Sequence, residues 1–418
     1  MKRNAAYALT VLFLINTMNF FDRAIGGALG EPIRREWGLS DSALGALGTA
    51  FTLLYAFVGV PLGRLSDRAP RKSILAGAVF VWSALTALSG FTRTYWQLFA
   101  TRLGVGVGEA ACAPAATSLI GDLVPPAKRA RAMSIFMMGL PIGIALSYFV
   151  GSYVAHTYGW RAAFFVAGIP GVLCAIAALF IPEPVREHLS PREAAGPWRT
   201  LLTIPTLWWL ILSGALHNFN MYALGTFLAP LLMRYHAADL RHAGVMTTVV
   251  YGLSGIPGLL IGGALADKWS VTRKDGRLLV AAIAAAISAP LMVAALARPA
   301  KDTLLFVILG ALACAFMYVY YASVYATLQD VVPPSMRGTA MALYFFAMYV
   351  LGASFGPLAT GMLSDRFTRA AAAGATNLEP FRGAGLHSAM YVVPVLCMLL
   401  ALVLFAATRT VARDMERR

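Results

Sequence analysis

Apolar residues run through this chain in stretches of about 20, set apart by short polar or basic interruptions, and a run of that length crosses a bilayer as a helix. The stretches lie near 5–29, 43–62, 73–91, 96–120, 131–155, 161–181, 204–233, 243–266, 278–297, 303–328, 338–363 and 387–408. They predict an all-α membrane protein with twelve transmembrane helices. The interruptions repeat. Gly63-Arg-Leu-Ser-Asp67-Arg68 follows one apolar stretch and Gly263-Ala-Leu-Ala-Asp267-Lys268 follows another; Asp122-Leu-Val-Pro-Pro-Ala-Lys-Arg129 recurs as Asp330-Val-Val-Pro-Pro-Ser-Met-Arg337. Two ordered pairs of copies point to duplication, giving two pseudo-symmetric six-helix bundles, 1–181 and 201–418. The polar, proline-rich stretch 182–200 is a linker too short to fold alone.

Composition agrees with a bilayer. Hydrophobic residues make up 59% of the chain and charged residues 13%, against about 25% charged in soluble domains, and the mean hydropathy is +0.69. The net charge of +15 is concentrated in alternate interruptions, as the positive-inside rule requires. It places both termini and the linker in the cytoplasm and assigns the basic surplus to topology and membrane-surface contact, not to nucleic acid. The first apolar stretch is too long for a cleaved signal peptide. Cys112, Cys174, Cys314 and Cys397 all fall inside apolar runs and read as small buried hydrophobes. No spacing resembles a metal site or a phosphate-binding loop, so no cofactor and no ATP-driven or enzymatic chemistry is expected. Parallel repeats of this kind are the build of secondary transporters.

Four charges interrupt the spans themselves: Asp22 and Arg23 in the first, Arg102 and Glu109 in the fourth. A charge at the bilayer centre costs about 2.5–3.5 kcal/mol even on the lenient scale, so each must face the bundle interior, pair, or meet water. Arg102 and Glu109 are two helical turns apart, sharing a face over roughly 10 Å; Asn16, Asn19 and Arg23 form a similar stripe. One reading is an architectural network pairing Asp22 with Arg102 or Arg23 with Glu109. The other gives proton exchange to Glu109 and, second, Asp22, with Arg23 and Arg102 holding an anion beside Asn16 and Asn19. The second half lacks these charges. It offers His217 and Asn218 in span seven, Tyr321 in span ten, and Phe345 and Tyr349 in span eleven, a set suited to an apolar body. At the cytoplasmic ends, Asp67 and Asp267 are expected each to meet the start of the other half's fifth span, where a helix N-terminus favours a carboxylate. Gly63, Arg68, Arg71 and Arg131 complete this gate.

The run Gly63-Arg-Leu-Ser-Asp67-Arg68-Ala-Pro-Arg71-Lys72 and Gly159-Trp160-Arg161 resemble the signatures of the major facilitator superfamily, with Pro70 where the general pattern has glycine. Asn19-Phe-Phe-Asp22-Arg23, Arg102-Leu-Gly-Val-Gly-Val-Gly-Glu109 and Leu140-Pro141-Ile-Gly143 are similar to its Spinster branch. The Asp-Arg pair and the Arg…Glu pair also occur in organic-anion/proton symporters. The resemblance implies a proton-coupled carrier working by alternating access on an organic anion, either an amphipathic lipid such as a lysophospholipid or sphingoid phosphate, or a small sugar acid. The expected partners are that substrate, protons and the lipid bilayer, for a monomer in a bacterial inner membrane; a non-transporting sensor is the remaining alternative.

Overall fold

The computed structural model describes residues 3–68, 70–183, 199–333 and 336–416, and among these it is helical throughout with no strand. Among the described residues eleven helices are long and apolar enough to cross a membrane. The expected seventh span is a further helix, Pro205–Arg234. It is long enough but is not among the eleven, because His217, Asn218 and Asn220 interrupt its apolar run. Span four is in two pieces, Tyr95–Glu109 and Cys112–Leu123. Pro114 has no N–H to give Ala110, so the helix breaks there and Glu109 ends the first piece.

Two compact units are present. The first comprises Met1–Glu187 with Thr226–Met233 and Ala238–Thr248; the second comprises His188–Gly225, Arg234–Ala237 and Val249–Arg418. Most of the expected linker lies outside the described residues.

In the first unit, Leu12 and Ile15 of span one (Arg3–Trp37) pack with Val79 and Trp82 of span three (Arg71–Ser89), Val105 of span four and Phe136 of span five (Arg131–Tyr158). Small residues let these helices approach closely. A Cβ at Gly143 would lie 2.3 Å from the Thr17 carbonyl oxygen, and one at Gly106 would lie 2.6 Å from that of Phe51. At one end of the unit, Gly159 takes φ +85° and turns the chain into span six (Trp160–Leu179). Trp160 Nε1 then donates to Glu36 at 2.6 Å, and Arg161 donates to Glu36 and to the Thr92 carbonyl at 3.1 Å. The Gly-Trp-Arg signature is therefore a clamp between span one, the loop that follows span three, and span six. Arg71 closes the opposite end. It is buried and donates to Ser118 at 2.7 Å, Asp122 at 2.5 Å and Glu183 at 3.0 Å. Burial alone would raise the Glu183 carboxyl. The Lys72 N–H and the Arg71 guanidinium outweigh it and hold the carboxyl below the usual range.

The second unit repeats part of this plan. Arg277, near the start of span nine (Gly276–Leu296), donates to Asp330 at the end of span ten (Thr303–Val331) and to Asp267 at 3.3 Å. The core holds a hydroxyl chain, with Ser213 to Tyr320 at 2.8 Å and Tyr320 to Tyr344 at 2.8 Å. Asp414 accepts from the N–H and hydroxyl of Thr206, at 2.9 and 2.7 Å, joining the last span to the start of the seventh. Gly361-Met-Leu-Ser-Asp365-Arg366, a third copy of the loop motif, has a structural use: Asp365 pairs with Arg382 at 3.6 Å.

Spans five, eight (Leu240–Thr272) and eleven (Arg337–Ala372) each contain a π-helical turn, Ser147–Gly151, Thr248–Leu253 and Met348–Ala353. In eight and eleven a proline follows, Pro257 and Pro357. A ring without an N–H clashes with the carbonyl one turn back, and a widened turn relieves that clash.

Candidate functional site

The intramembrane charges of the first unit converge on one cluster. Arg23 donates to Glu109 Oε2 from Nε at 3.2 Å and from Nη2 at 3.0 Å, and Nη2 also reaches Asn19 Oδ1 at 3.3 Å. Of the two pairings open from sequence, Arg23 with Glu109 is therefore formed. The alternative partner of Asp22 is present but differently engaged: Arg102 Nη2 donates at 2.9 Å to the backbone oxygen of Asp22, not to its carboxylate. Asp22 is 1% exposed and Glu109 is 0% exposed. Among the described residues the Asp22 carboxylate oxygens, Glu109 Oε1, Arg102 Nη1 and Asn19 Nδ2 make no hydrogen bond of ordinary length, although the Thr86 side chain lies beside Asp22 and that of Asn19 beside Glu109. Unmet donors and acceptors of this kind are expensive in a membrane interior.

Three aromatic rings surround the Arg23 guanidinium: Tyr55 at 4.5 Å, Phe20 at 5.1 Å and Phe51 at 5.3 Å; Arg102 is 5.6 Å from Phe51. Each ring face attracts a cation, while the N–H edge of the guanidinium meets the Glu109 carboxylate. Phe51 and Tyr55 are site residues that sequence reading missed. Their spacing of four places them on one face of span two (Asp41–Arg68), and that was the available signal. Asn16 is directed elsewhere, donating to the Phe136 carbonyl at 2.8 Å.

In the second unit, His217 is fully buried, stacks on Tyr320 at 4.0 Å and meets the edge of Tyr321 at 4.7 Å, with neither ring nitrogen hydrogen-bonded. Tyr321, Tyr325 and Phe345 continue as edge-to-face pairs at 5.6 and 5.5 Å, and Tyr349 meets Tyr222 at 6.2 Å. Asn218 Nδ2 donates at 3.0 Å to Gly214 of its own helix.

The expected gate is only partly visible. The side chains of Gly63, Asp67 and Arg68 lie outside the described residues. Arg131 is exposed. Arg71 and Asp267, both expected in the gate, are engaged inside their own units, as above, and Arg71 is a buried tie between helices.

The family profile described as Major Facilitator Superfamily matches residues 12–357, and again 210–417. The chain belongs to that superfamily. Within it the chain is of the Spinster-like type. A bacterial homologue of the human lysosomal transporter Spinster, solved inward-facing and unoccupied, superposes with a TM-score of 0.87 at 27% identity, covering 99% of both chains. An MFS-type efflux pump of Mycolicibacterium smegmatis is 34% identical over 88% of this chain and 86% of its own. The sphingosine-1-phosphate transporter SPNS2 of Xenopus tropicalis is 30% identical over 87% and 74%. A probable L-galactonate transporter of Escherichia coli is 28% identical over 87% and 84%. Superfamily membership makes this a membrane transporter and not an enzyme, and the two-bundle architecture is that of the superfamily.

Proposed function

We propose that this transporter couples the movement of an amphipathic organic anion, of the lysophospholipid or sphingoid phosphate class, to protons. The observation that carries the reading is the buried Arg23–Glu109 pair. An incoming anion and the Glu109 carboxylate compete for the same guanidinium edge. A proton on Glu109 removes the competitor, so proton and anion bind together. Asp22, buried with no salt bridge to its carboxylate among the described residues, is the second proton site, and Arg102 supplies the second cation. The aromatic set of the second unit, with His217, Tyr321, Phe345 and Tyr349, is suited by its own chemistry to an apolar chain. Both termini are assigned to the cytoplasm on the basic-residue pattern, and the transporter is assigned to a bacterial inner membrane as a monomer.

Reconstituted protein tests this. Glu109→Gln should lose accumulation of a labelled lysophospholipid or sphingoid phosphate against its gradient while keeping exchange. Accumulation equal to wild type removes Glu109 from coupling. The likeness to the L-galactonate transporter supports a second reading, a small organic acid. Binding that is flat with chain length across a lysolipid series, alongside tight binding of a sugar acid, selects it.

A further inference from the structure

The first unit carries a cavity away from the charged cluster, of 260 Å³, lined by Phe149, Tyr153, Arg241 and Val245. Phe149 and Tyr153 are one turn apart on span five, and Arg241 and Val245 are one turn apart on span eight. The lining therefore has two layers. Tyr153 and Arg241 form the outer layer, near the ends of their helices, with the Arg241 guanidinium 5.2 Å from the Tyr153 ring centre. Phe149 and Val245 form the layer beneath it, 52% and 40% exposed.

Behind these residues the helices touch. A Cβ on Gly244 would lie 2.4 Å from the Ser152 side chain and 2.6 Å from the Tyr148 carbonyl, and Thr248 Oγ1 donates to the Ala145 carbonyl at 3.1 Å. The groove thus has a closed floor and opens away from the helix contact. Among the described residues Arg241 forms no ion pair, and the nearby acid is occupied: Asp239 caps span eight, accepting from the His242 N–H at 2.7 Å and its ring at 2.9 Å. A cation at the membrane surface, an aromatic face beside it and an apolar layer one turn deeper match the order of groups in a bilayer lipid.

We propose that this groove binds an anionic phospholipid of the leaflet at that end of spans five and eight, its phosphate on Arg241 and the start of one acyl chain against Phe149 and Val245. The site is separate from the Arg23–Glu109 cluster. It offers no acid to a zwitterionic head group, so it selects for net negative charge.

The test is thermal unfolding of the purified full chain in detergent, titrated with phosphatidylglycerol or with phosphatidylcholine of the same chains. Phosphatidylglycerol should act at about tenfold lower concentration. Arg241→Gln, at an exposed position, should abolish that preference. Tyr153→Leu should weaken it and Tyr153→Phe should restore it, since Phe keeps the ring face. Arg23→Ala should leave the preference intact, which separates this site from the proposed transport site. Equal action of the two lipids, or an undiminished preference in Arg241→Gln, overturns the assignment.

Discussion

Arg71 and Arg277 hold the same post in the two units. Each lies at the start of the third span of its half, and each is bonded to the aspartate that ends the next span, Asp122 and Asp330. The duplicated Asp-x-Val-Pro-Pro motif is thus the acceptor of a duplicated ion pair. A charge-assisted hydrogen bond contributes about 1.5–3 kcal/mol. Asp122→Asn and Asp330→Asn should each destabilise by about that amount in denaturant unfolding, and because the two pairs share no partner the effects should add.

Glu183 supplies a pH signature at the Arg71 end. Its carboxyl is held low in the folded protein, so its contribution is fully present above the unfolded value of about 4.3. That contribution disappears as pH falls through the lower folded value. The difference in Tm between wild type and Glu183→Gln should be constant near neutrality and shrink on acidification through and below pH about 4. A difference that persists unchanged at the acidic end assigns the effect to shape and not to charge.

Arg23→Lys keeps the charge but loses the planar fork that meets both Glu109 and the rings of Phe20, Phe51 and Tyr55. Anion binding should weaken at least tenfold, measured by titration at neutral pH. Tyr55→Leu should weaken it less, because one ring face in such a cage contributes about 0.5–2 kcal/mol.

Gly159 and Gly121 make a controlled pair. At Gly159 the backbone has φ +85° and ψ 156°, a region for glycine alone, so Gly159→Ala should cost about 1–3 kcal/mol. Gly121 is helical, and a Cβ there meets nothing within 4 Å, so Gly121→Ala should stabilise by about 0.5–1 kcal/mol. Unfolding of both variants in one detergent compares them directly.

The spans were legible because bilayer thickness imposes a length on each apolar run. Even span seven was readable, although His217, Asn218 and Asn220 lower its hydropathy. The charges of spans one and four were conspicuous because hydrocarbon makes every charge require a reason. What could not be read was rotation about helix axes. Asn16 was expected in the cavity with Asn19, yet it turns to the Phe136 carbonyl, while Phe51 and Tyr55 turn to Arg23. Arg71 was expected in the gate because its partners are remote in sequence; Asp122 and Glu183 reach it only after spans three and four have packed.

Ser254-Gly-Ile-Pro257 and Ser354-Phe-Gly-Pro357 end the π-helical turns of spans eight and eleven, and in both the serine N–H reaches five residues back, to Val249 at 3.2 Å and Tyr349 at 3.0 Å. These are the middle helices of consecutive triplets, and nested inverted triplets are how such bundles are built. Spans eight and eleven thus share one local construction, a proline together with the widened turn that accommodates it, which is the correspondence a repeat within the second half requires.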